Sequence, residues 1–392
     1  MNNKLFAVLA LSLLCAFNFL FSTAHAQGTG VIWTPRGNPG TWTSIVCSAD
    51  GTKVYAAFTG SIYASTDSGV TWAQRNNSQS WYYVTCSADG TKLVASCGDY
   101  TPVFTSADSG TNFTEHTDSS YTVTSLASSA DGTKLVVAAS GYDLYTSTNS
   151  GATWVDQPES LGVVDLLGWS SVACSTNGTQ IVATAKNLGF APGGWIYISG
   201  DSGVTWTPRA FTNNWQAVAS SADATKLVAA VLGGQIYTST DSGTNWTPRA
   251  FTTNWQAVAS SADGTKLLAA VYNGQLYTST NSGTSWTAGD TNRAWQAVAC
   301  SADGTKLFAV DHAGGIYTAG VITVPTLRIV QSGNNVGVSW PYPSTGWTLQ
   351  QNTSLTSASW SSSSGVTNNG YFNYLDTTTS AGSMFFRLQS PP

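Results

Sequence analysis

Short segments in which apolar and polar residues alternate recur along most of the chain, with a period of about 40 residues. Residues 215–249 and 255–286 show the repeat most clearly, with four segments that read WQAVAS, KLVAAV, GQIYTST and NWTPR in the first copy. Alternation between small polar turns predicts β-strands. We name the segments a, b, c and d in chain order. A unit that recurs at this period predicts neighbouring sheets that bury their faces against one another.

The turn between segments a and b is Asp-Gly or Asn-Gly in every repeat except one, which has Asp223–Ala224. These pairs favour tight hairpins because glycine accepts a positive φ and the short side chain binds local backbone. We expect Ala224 to carry more backbone strain than glycine does. The turns begin at Asp50, Asp89, Asp131, Asn177, Asp223, Asp263 and Asp303, and they predict seven four-stranded units.

The turn between segments c and d has the pattern Ser-x-Asp-x-Gly-x-x-Trp, with Phe113 replacing the tryptophan once. The acid is expected to cap backbone N–H groups, and asparagine keeps the acceptor without the charge, which indicates a structural role and not an ion site. The capping residues are Asp67, Asp108, Asn149, Asp201, Asp241 and Asn281. This motif resembles the Asp-box, or BNR, repeat of sialidase-like β-propellers, and the resemblance covers roughly residues 31 to 320.

The last repeat has an a–b turn but no c–d motif, so its segment d must come from elsewhere. Trp33 precedes Trp42 by nine residues, the spacing that also separates Trp72 from Trp81. Val31–Arg36 is therefore expected to pair with Ile316–Ala319 and close the ring, which leaves no open inner edge. The predicted fold is all-β, a seven-bladed β-propeller closed by the N-terminal strand, plus a small C-terminal β-sandwich-like module.

The two ends of the chain differ from the repeats. Lys4, an apolar run from Leu5 to about Phe21 and Ala24-His25-Ala26 predict a signal peptide over residues 1–26. The propeller is then predicted over 27–322 and the module over 323–392. The VSWP, WTLQQ and FFRL segments of the module resemble a β-sandwich-like module of secreted proteins from Verrucomicrobia-type bacteria. We expect a secreted monomer without a membrane span.

Composition narrows the classes of ligand. The formal net charge is −5 and no basic cluster occurs, which argues against nucleic acid. No His, Cys or Asp spacing is typical of a metal site, and no cofactor motif is present, so none is expected. Four cysteines occupy equivalent positions before the a–b turns and are expected to be free, buried thiols: Cys47, Cys86, Cys174 and Cys300.

Aromatic and basic residues recur with the repeat and allow two interpretations. The tryptophans that open segment a are expected to pack between blades, although a ring of sugar-stacking side chains is the alternative. The arginines after segment d either capture an anion or stack on tryptophan and cap strand ends. They are Arg36, Arg75, Arg209 and Arg249, with Arg293 nearby.

Two insertions depart from the repeat in the fourth blade, at residues 155–168 and 186–195. Both fall in loops at the end of the ring opposite the c–d turns, where they are expected to touch. Recognition residues concentrate in such loops, but neutral drift would give the same pattern. The candidate ligand-binding residues are Asp156, Glu159, Asp165, Lys186, Phe190, Trp195, Arg209 and Arg249.

The resemblance to sialidases implies three arginines, a Tyr/Glu pair, a catalytic Asp and a Phe/Tyr-Arg-Ile-Pro motif. Trp33-Thr-Pro-Arg36 does not match that motif, so no catalytic residue is assigned. The chain is also similar to the photosystem II assembly-factor family of single-ring propellers, which act as binding scaffolds. We predict a secreted, non-catalytic propeller that recognises a glycan or an extracellular protein. The alternative is a glycoside hydrolase of the sialidase-like type.

Overall fold

The computed structural model places strands and turns, and no helix, in the residues that it describes. These residues are 9–11, 31–36, 40–75, 79–98, 101–140, 144–157, 168–186, 194–209, 212–321, 327–332, 335–341, 347–354, 360–368, 372–378 and 384–389. Two compact units are present, Val31–Val321 and a second one made of Met1–Gly30 with Ile322–Pro392. Nothing in the described ranges is a helix that could cross a bilayer.

The first four repeats each form an antiparallel sheet with segments a, b, c and d in chain order. The strands of the first sheet are Trp42–Cys47, Val54–Phe58, Ser61–Ser65 and Ala73–Gln74, and those of the second are Trp81–Cys86, Leu93–Cys97, Thr101–Ser106 and Thr114–Tyr121. The third contains Val123–Ser128, Leu135–Ala139, Leu144–Ser147 and Val155–Asp156, and the fourth contains Gly168–Cys174, Ile181–Lys186, Ile196–Ser199 and Thr207–Pro208.

The remaining repeats merge into one larger sheet because their loops continue the ladders. Leu267–Ser279 spans segments b and c, and Thr287–Cys300 spans segment d and the next segment a. The strands of this sheet are Trp215–Ser220, Leu227–Gly234, Ile236–Ser239, Thr247–Pro248, Thr253–Ser260, Leu267–Ser279, Thr287–Cys300, Lys306–Asp311, Ile316–Val321 and Val31–Arg36.

The N-terminal strand completes the last repeat. Val31–Arg36 runs antiparallel to Ile316–Val321, with Trp33 opposite Ala319. The Trp33 ring lies 6.3 Å from the Trp295 ring, the same kind of contact that Trp246 makes with Trp215 at 6.1 Å. The pairing predicted from the tryptophan spacing is therefore confirmed.

A closed series of backbone hydrogen bonds links the a–b turns of successive repeats. Each residue before the turn acid donates its N–H to the carbonyl of the equivalent residue in the next repeat, over 2.7–2.8 Å. The residues are Ala49, Ala88, Ala130, Thr176, Ala222, Ala262 and Ala302, and the N–H of Ala302 returns to the carbonyl of Ala49. The series has no free end, so the repeats hold one another in a circle.

The core lies between consecutive sheets and is built from the repeat-specific aromatics. Trp215 and Trp255 are fully buried at the start of segment a. Each meets the segment-c tyrosine of its own sheet edge-on, with Trp255 and Tyr277 ring centroids 5.3 Å apart. Trp255 also packs with Ala230 and Ile236 of the preceding repeat. The packing interpretation of these tryptophans is confirmed, because a buried ring has no face left for a sugar.

The second unit contains two further four-stranded sheets that share one core. Arg328–Ser332, Asn335–Pro341, Phe372–Thr378 and Thr367–Asn368 form one, and Leu9–Leu11, Met384–Gln389, Thr348–Asn352 and Ser361–Ser362 form the other. Val338 and Trp340 of the first sheet pack with Leu349 and Phe386 of the second. Leu9–Leu11, which lies in the predicted signal peptide, is the edge strand of its sheet.

Candidate functional site

The c–d turns are closed by their own side chains. Asp67 Oδ1 accepts a hydrogen bond from Ser65 Oγ at 2.7 Å and another from the Thr71 N–H at 2.9 Å. Ser65 Oγ accepts in turn from the Gly69 N–H at 2.8 Å. The bonds from the Thr71 side chain and N–H and from Ser65 lower the pKa of Asp67 to about 2. The acid stabilises a turn and its acceptors are occupied, as the sequence predicts.

Asparagine performs the same task where it replaces the acid. Asn149 Oδ1 accepts from Ser147 Oγ at 3.0 Å and from the Thr153 N–H at 2.9 Å. The sequence reasoning missed one feature of these turns, because the serine before the glycine also has a left-handed backbone, with φ of 61° at Ser68. The other four turns contain the same two hydrogen bonds. The turn residue accepts one from the serine two positions earlier and one from the backbone N–H four positions later, and these turn residues are Asp108, Asp201, Asp241 and Asn281.

A polar cavity of about 400 Å³ lies among the innermost strands, and segment a of every repeat lines it. We call it the inner cavity. A β-bulge follows the first residue of segment a, for example between Trp215 and Ala217. Bulges re-aim a side chain, and the bulged residues of the last three repeats are glutamines that line the inner cavity. They are Gln216, Gln256 and Gln296.

Hydroxyl groups dominate the other side of the inner cavity and join neighbouring sheets. Ser170 Oγ donates to the Trp215 carbonyl at 2.8 Å, and Ser171 Oγ accepts from the Val218 N–H at 3.2 Å. Ser125 Oγ accepts from the Val172 N–H at 3.0 Å. The cavity wall is thus hydroxyl-rich in one arc and amide-rich in the other.

Lys186 is the candidate residue that the structure places in the inner cavity. It ends segment b of the fourth repeat and pairs with Gly168, just before Trp169. The side chain is half-buried, and burial lowers the pKa of its ammonium group. No other charged side chain is among the described residues that line the cavity.

Trp195 lies near Lys186 in the fold, because its carbonyl accepts a hydrogen bond from the Ala185 N–H at 2.9 Å. Asp156 is exposed on the outermost strand of the third sheet. Trp195 is half-buried and packs against the core that contains Trp169, Tyr197 and Trp206, so it contributes to folding. The predicted contact between the two insertions, together with Glu159, Asp165 and Phe190, falls outside the described residues.

The arginines after segment d favour the strand-capping interpretation where their contacts are described. Arg249 Nε donates to Thr238 Oγ1 at 3.0 Å, and Arg36 Nε donates to Thr318 Oγ1 at 3.1 Å. The Arg293 guanidinium lies 4.6 Å from the Tyr317 ring centroid. Arg209 is exposed at the end of Thr207–Pro208, so it stays a candidate for anion capture.

None of the described cysteines forms a disulfide, as predicted, but the four that precede the a–b turns are half-buried and not fully buried: Cys47, Cys86, Cys174 and Cys300. Burial raises the pKa of the Cys86, Cys174 and Cys300 thiols to about 12, so they are poor nucleophiles. The described residues contain no His, Cys, Asp or Glu cluster that could hold a metal ion. Neither thiol chemistry nor a metal site is indicated in these parts of the chain.

Sequence reasoning missed exposed aromatic residues outside the insertions. Phe251 is 50% exposed in the loop after segment d and contacts the rings of Trp255 and Tyr277. Tyr272, 43% exposed, lies in the b–c loop of the same repeat. The run Arg-Ala-Phe-Thr, present at residues 209–212 and 249–252, is the sequence signal that could have identified Phe251.

No protein-family model matches the sequence, and no curated protein is similar to it. Solved structures do share the fold. YCF48 from Cyanidioschyzon merolae is 15% identical, with a TM-score of 0.56 over 74% of this chain and 98% of that one. A YCF48 structure bound to D1 peptide is 13% identical, with a TM-score of 0.57 over 77% and 100% of the two chains.

A third structure with this fold is hydrazine synthase from Kuenenia stuttgartiensis. It is 12% identical, with a TM-score of 0.59 over 76% of this chain and 98% of that one. Identities this low establish the fold alone, because one fold hosts many unrelated functions. The chain is an all-β protein with a β-propeller fold.

Proposed function

We propose that this β-propeller is a secreted, non-catalytic binding protein whose ligand is a glycan or an extracellular protein. The ring has seven blades in this proposal and is closed by Val31–Arg36, and a C-terminal β-sandwich-like module follows it. Support for the closed ring comes from the pairing of that strand with Ile316–Val321 and from the hydrogen bonds that lead from Ala49 back to Ala302. The c–d turns are those of an Asp-box propeller, with their acids committed to the fold.

The observation that carries the binding role is the position of Lys186 in the inner cavity. Polar side chains that recur with the repeat, such as Asp67 and Arg249, have partners within the fold. Lys186 is not required by the repeat, yet it reaches a polar cavity where segment a of every repeat converges. A concave site with few, convergent polar groups is the usual form of a ligand site.

A protein partner receives separate support from the fold comparison. YCF48, which has this fold, has a structure bound to D1 peptide. That ligand belongs to YCF48, but it demonstrates that a propeller of this size can hold a peptide. Phe251 and Tyr272 offer exposed aromatic surface, and aromatic residues are enriched in protein–protein interfaces.

The test is a glycan array together with affinity capture from secreted proteins, using the chain from Gln27 and its Lys186→Met variant. Trp195→Ala is unsuitable because that ring packs against the core. Lys92→Met, which removes the same charge from the a–b side of the ring, is the control. We expect the parent chain and Lys92→Met to bind the same ligand and Lys186→Met to bind it much more weakly or not at all. A partner held equally by all three chains would contradict a site at Lys186.

A second arm tests the absence of catalysis. Fluorogenic α- and β-glycosides, including a sialoside, are incubated with the parent and with Asp156→Asn. We expect no turnover above buffer, because the described wall of the inner cavity offers no carboxylate pair for acid–base hydrolysis. Turnover that is lost in Asp156→Asn would instead favour the glycoside hydrolase alternative.

A further inference from the structure

Asparagine followed by glycine is a chemically labile pair, because glycine has no side chain to shield the backbone nitrogen that follows the asparagine. That nitrogen can attack the carbonyl carbon of the asparagine side chain and release the side-chain nitrogen. The chain contains three such pairs, Asn177–Gly178, Asn273–Gly274 and Asn369–Gly370, and the last lies outside the described residues. The two described pairs have different surroundings in the fold.

Asn177 is held in its a–b turn by hydrogen bonds. Its Oδ1 atom accepts from Ser175 Oγ at 2.7 Å, from the Thr179 N–H at 3.0 Å and from Thr179 Oγ1 at 2.7 Å. Gly178, whose nitrogen would have to attack, is buried, and its N–H donates to the Ser175 carbonyl at 2.9 Å. The attack would break these bonds, so this pair reacts only after the turn opens.

The side chain of Asn273 lacks such restraints. It is exposed in the b–c loop and makes no hydrogen bond to the residues that the structure describes. The backbone of Asn273 has φ of 55°, in the left-handed region that disfavours residues with a side chain, asparagine less than most. This loop therefore combines a strained backbone with an asparagine side chain that no described contact holds in place.

The geometry of the loop favours this pair of residues. A Cβ atom added to Gly274 would lie 2.5 Å from Val271 Cγ1, so the position favours glycine. The equivalent loop of the preceding repeat has glycine at both places, with φ of 70° at Gly233, and a Cβ atom on Gly234 would lie 2.5 Å from Val231 Cγ1. The loop thus requires a left-handed residue followed by glycine, and asparagine meets that requirement with a labile bond.

We propose that Asn273 is a site of spontaneous deamidation in the folded protein. The Gly274 nitrogen loses its proton and bonds to Cγ of Asn273, and the side-chain nitrogen leaves with that proton as ammonia. Water then opens the five-membered succinimide at either of its carbonyl carbons. The product is aspartate or isoaspartate, so the loop gains a negative charge next to the exposed Tyr272. No ligand takes part, and the inference is independent of the proposed function.

The experiment incubates the full chain at neutral pH, digests samples at mildly acidic pH and separates asparagine, aspartate and isoaspartate peptides by mass spectrometry. In the folded chain we expect Asn273 to convert at least about tenfold faster than Asn177, whose turn must first open. In urea, where neither loop is formed, the two conversion rates should become similar. Equal rates in the folded chain, or no conversion of Asn273, would overturn the proposal, and a difference that persists in urea would overturn its structural basis.

Two variants assign the charge change to this residue. Asn273→Gly copies the loop of the preceding repeat and has no side chain that could react, and thermal unfolding verifies that it is folded. Asn177→Asp, which copies the acid of the other a–b turns, is the matched control. Isoelectric focusing should show an acidic species that accumulates with time in the parent and in Asn177→Asp, and more slowly in Asn273→Gly. Accumulation at the same rate in folded Asn273→Gly would assign the charge change to other residues and overturn the proposal.

Discussion

The glycines of the a–b turns lie close to side chains of the preceding repeat. A Cβ atom added to Gly264 would lie 2.7 Å from Lys226 Cβ, and one added to Gly178 would lie 2.8 Å from Lys134 Cβ. Ala224 is the exception, with φ of 55°, and the residue that replaces the lysine in the repeat before it is Gln180. The one turn with a methyl group therefore follows the one repeat in which glutamine replaces the lysine.

This match predicts opposite effects for opposite substitutions. Gly264→Ala should lower the free energy of unfolding by about 2 kcal/mol, through left-handed strain and the contact with Lys226. The effect of Ala224→Gly on the free energy of unfolding should lie between no change and an increase of about 1 kcal/mol, because relief of strain is offset by a more flexible unfolded chain. Urea unfolding measures both. A stabilising Gly264→Ala would contradict the role given to the lysine.

The turn acids predict sensitivity to acid. Side-chain and backbone hydrogen bonds lower the pKa of Asp67 and Asp241 to about 2, from an ordinary value of 3.8. A depressed pKa in the folded state means that these bonds contribute fully above about pH 4 and are lost as the pH falls towards 2. We therefore expect the urea concentration at the midpoint of unfolding to decrease as the pH is lowered from about 4 to 2.

An internal control is available because asparagine already occupies equivalent turns. Asp241→Asn should retain nearly the parent stability near neutral pH, since Asn281 makes the same bond to a backbone N–H at 2.9 Å. Its loss of stability between about pH 4 and 2 should be smaller than that of the parent. An acid midpoint that is the same in both proteins would show that other groups govern acid unfolding.

At the scale of elements, the strand that arrives from the far end of the sequence determines whether the last sheet has an edge. Without Val31–Arg36, the strand Ile316–Val321 would present an unpaired row of backbone groups, which promotes association. The contact between Trp33 and Trp295 would be lost as well. A chain that begins at Gly37 should therefore unfold at lower temperature and self-associate.

Deletion of residues 1–30 alone is the matched control, since it retains the closing strand. Sedimentation and thermal unfolding compare the two chains, and a synthetic peptide of residues 31–36 should partly restore the melting temperature of the shorter one. If both deletions behave alike, the closing strand contributes little to stability.

The strands could be predicted from the sequence because their signals are local. Asp-Gly turns fix the hairpins, and the spacing of Trp33 and Trp42 identifies the closing strand. The left-handed backbone of Ser68 could not be predicted, because serine rarely adopts it and does so here through the hydrogen bonds around Asp67. Local motifs identify the turn, but the fold imposes its backbone angles.

The candidate site was harder to predict than the strands. The sequence identifies Lys186 as the first residue of an insertion, whereas its importance arises from the inner cavity, which forms only when distant strands converge. Trp195 reads as an exposed loop residue, yet it packs against the core that contains Trp169 and Tyr197, and it directly precedes the strand Ile196–Ser199. Burial of this kind depends on tertiary contacts that a single sequence does not encode locally.

At the scale of the whole molecule, the residues that hold the sheets together and the residues that differ between repeats occupy different places. Tryptophans such as Trp255 and turn acids such as Asp67 repeat because each sheet needs them. Lys186 and Tyr272 depart from the repeat, and together with Phe251 they lie in the cavity wall or in loops. A scaffold made of equivalent sheets can thus vary its ligand-binding groups without altering the contacts that hold it together.

The circle of hydrogen bonds through Ala49 and Ala302 also bears on how such a chain can evolve. Residues 215–246 and 255–286 are near copies, as expected if a segment of the gene was duplicated. An added repeat is compatible with folding only if the hydrogen bonds between a–b turns still connect the last repeat to the first. Duplication of a whole repeat adds one complete set of a–b turn contacts and partial duplication does not, so we expect related chains to differ by complete repeats.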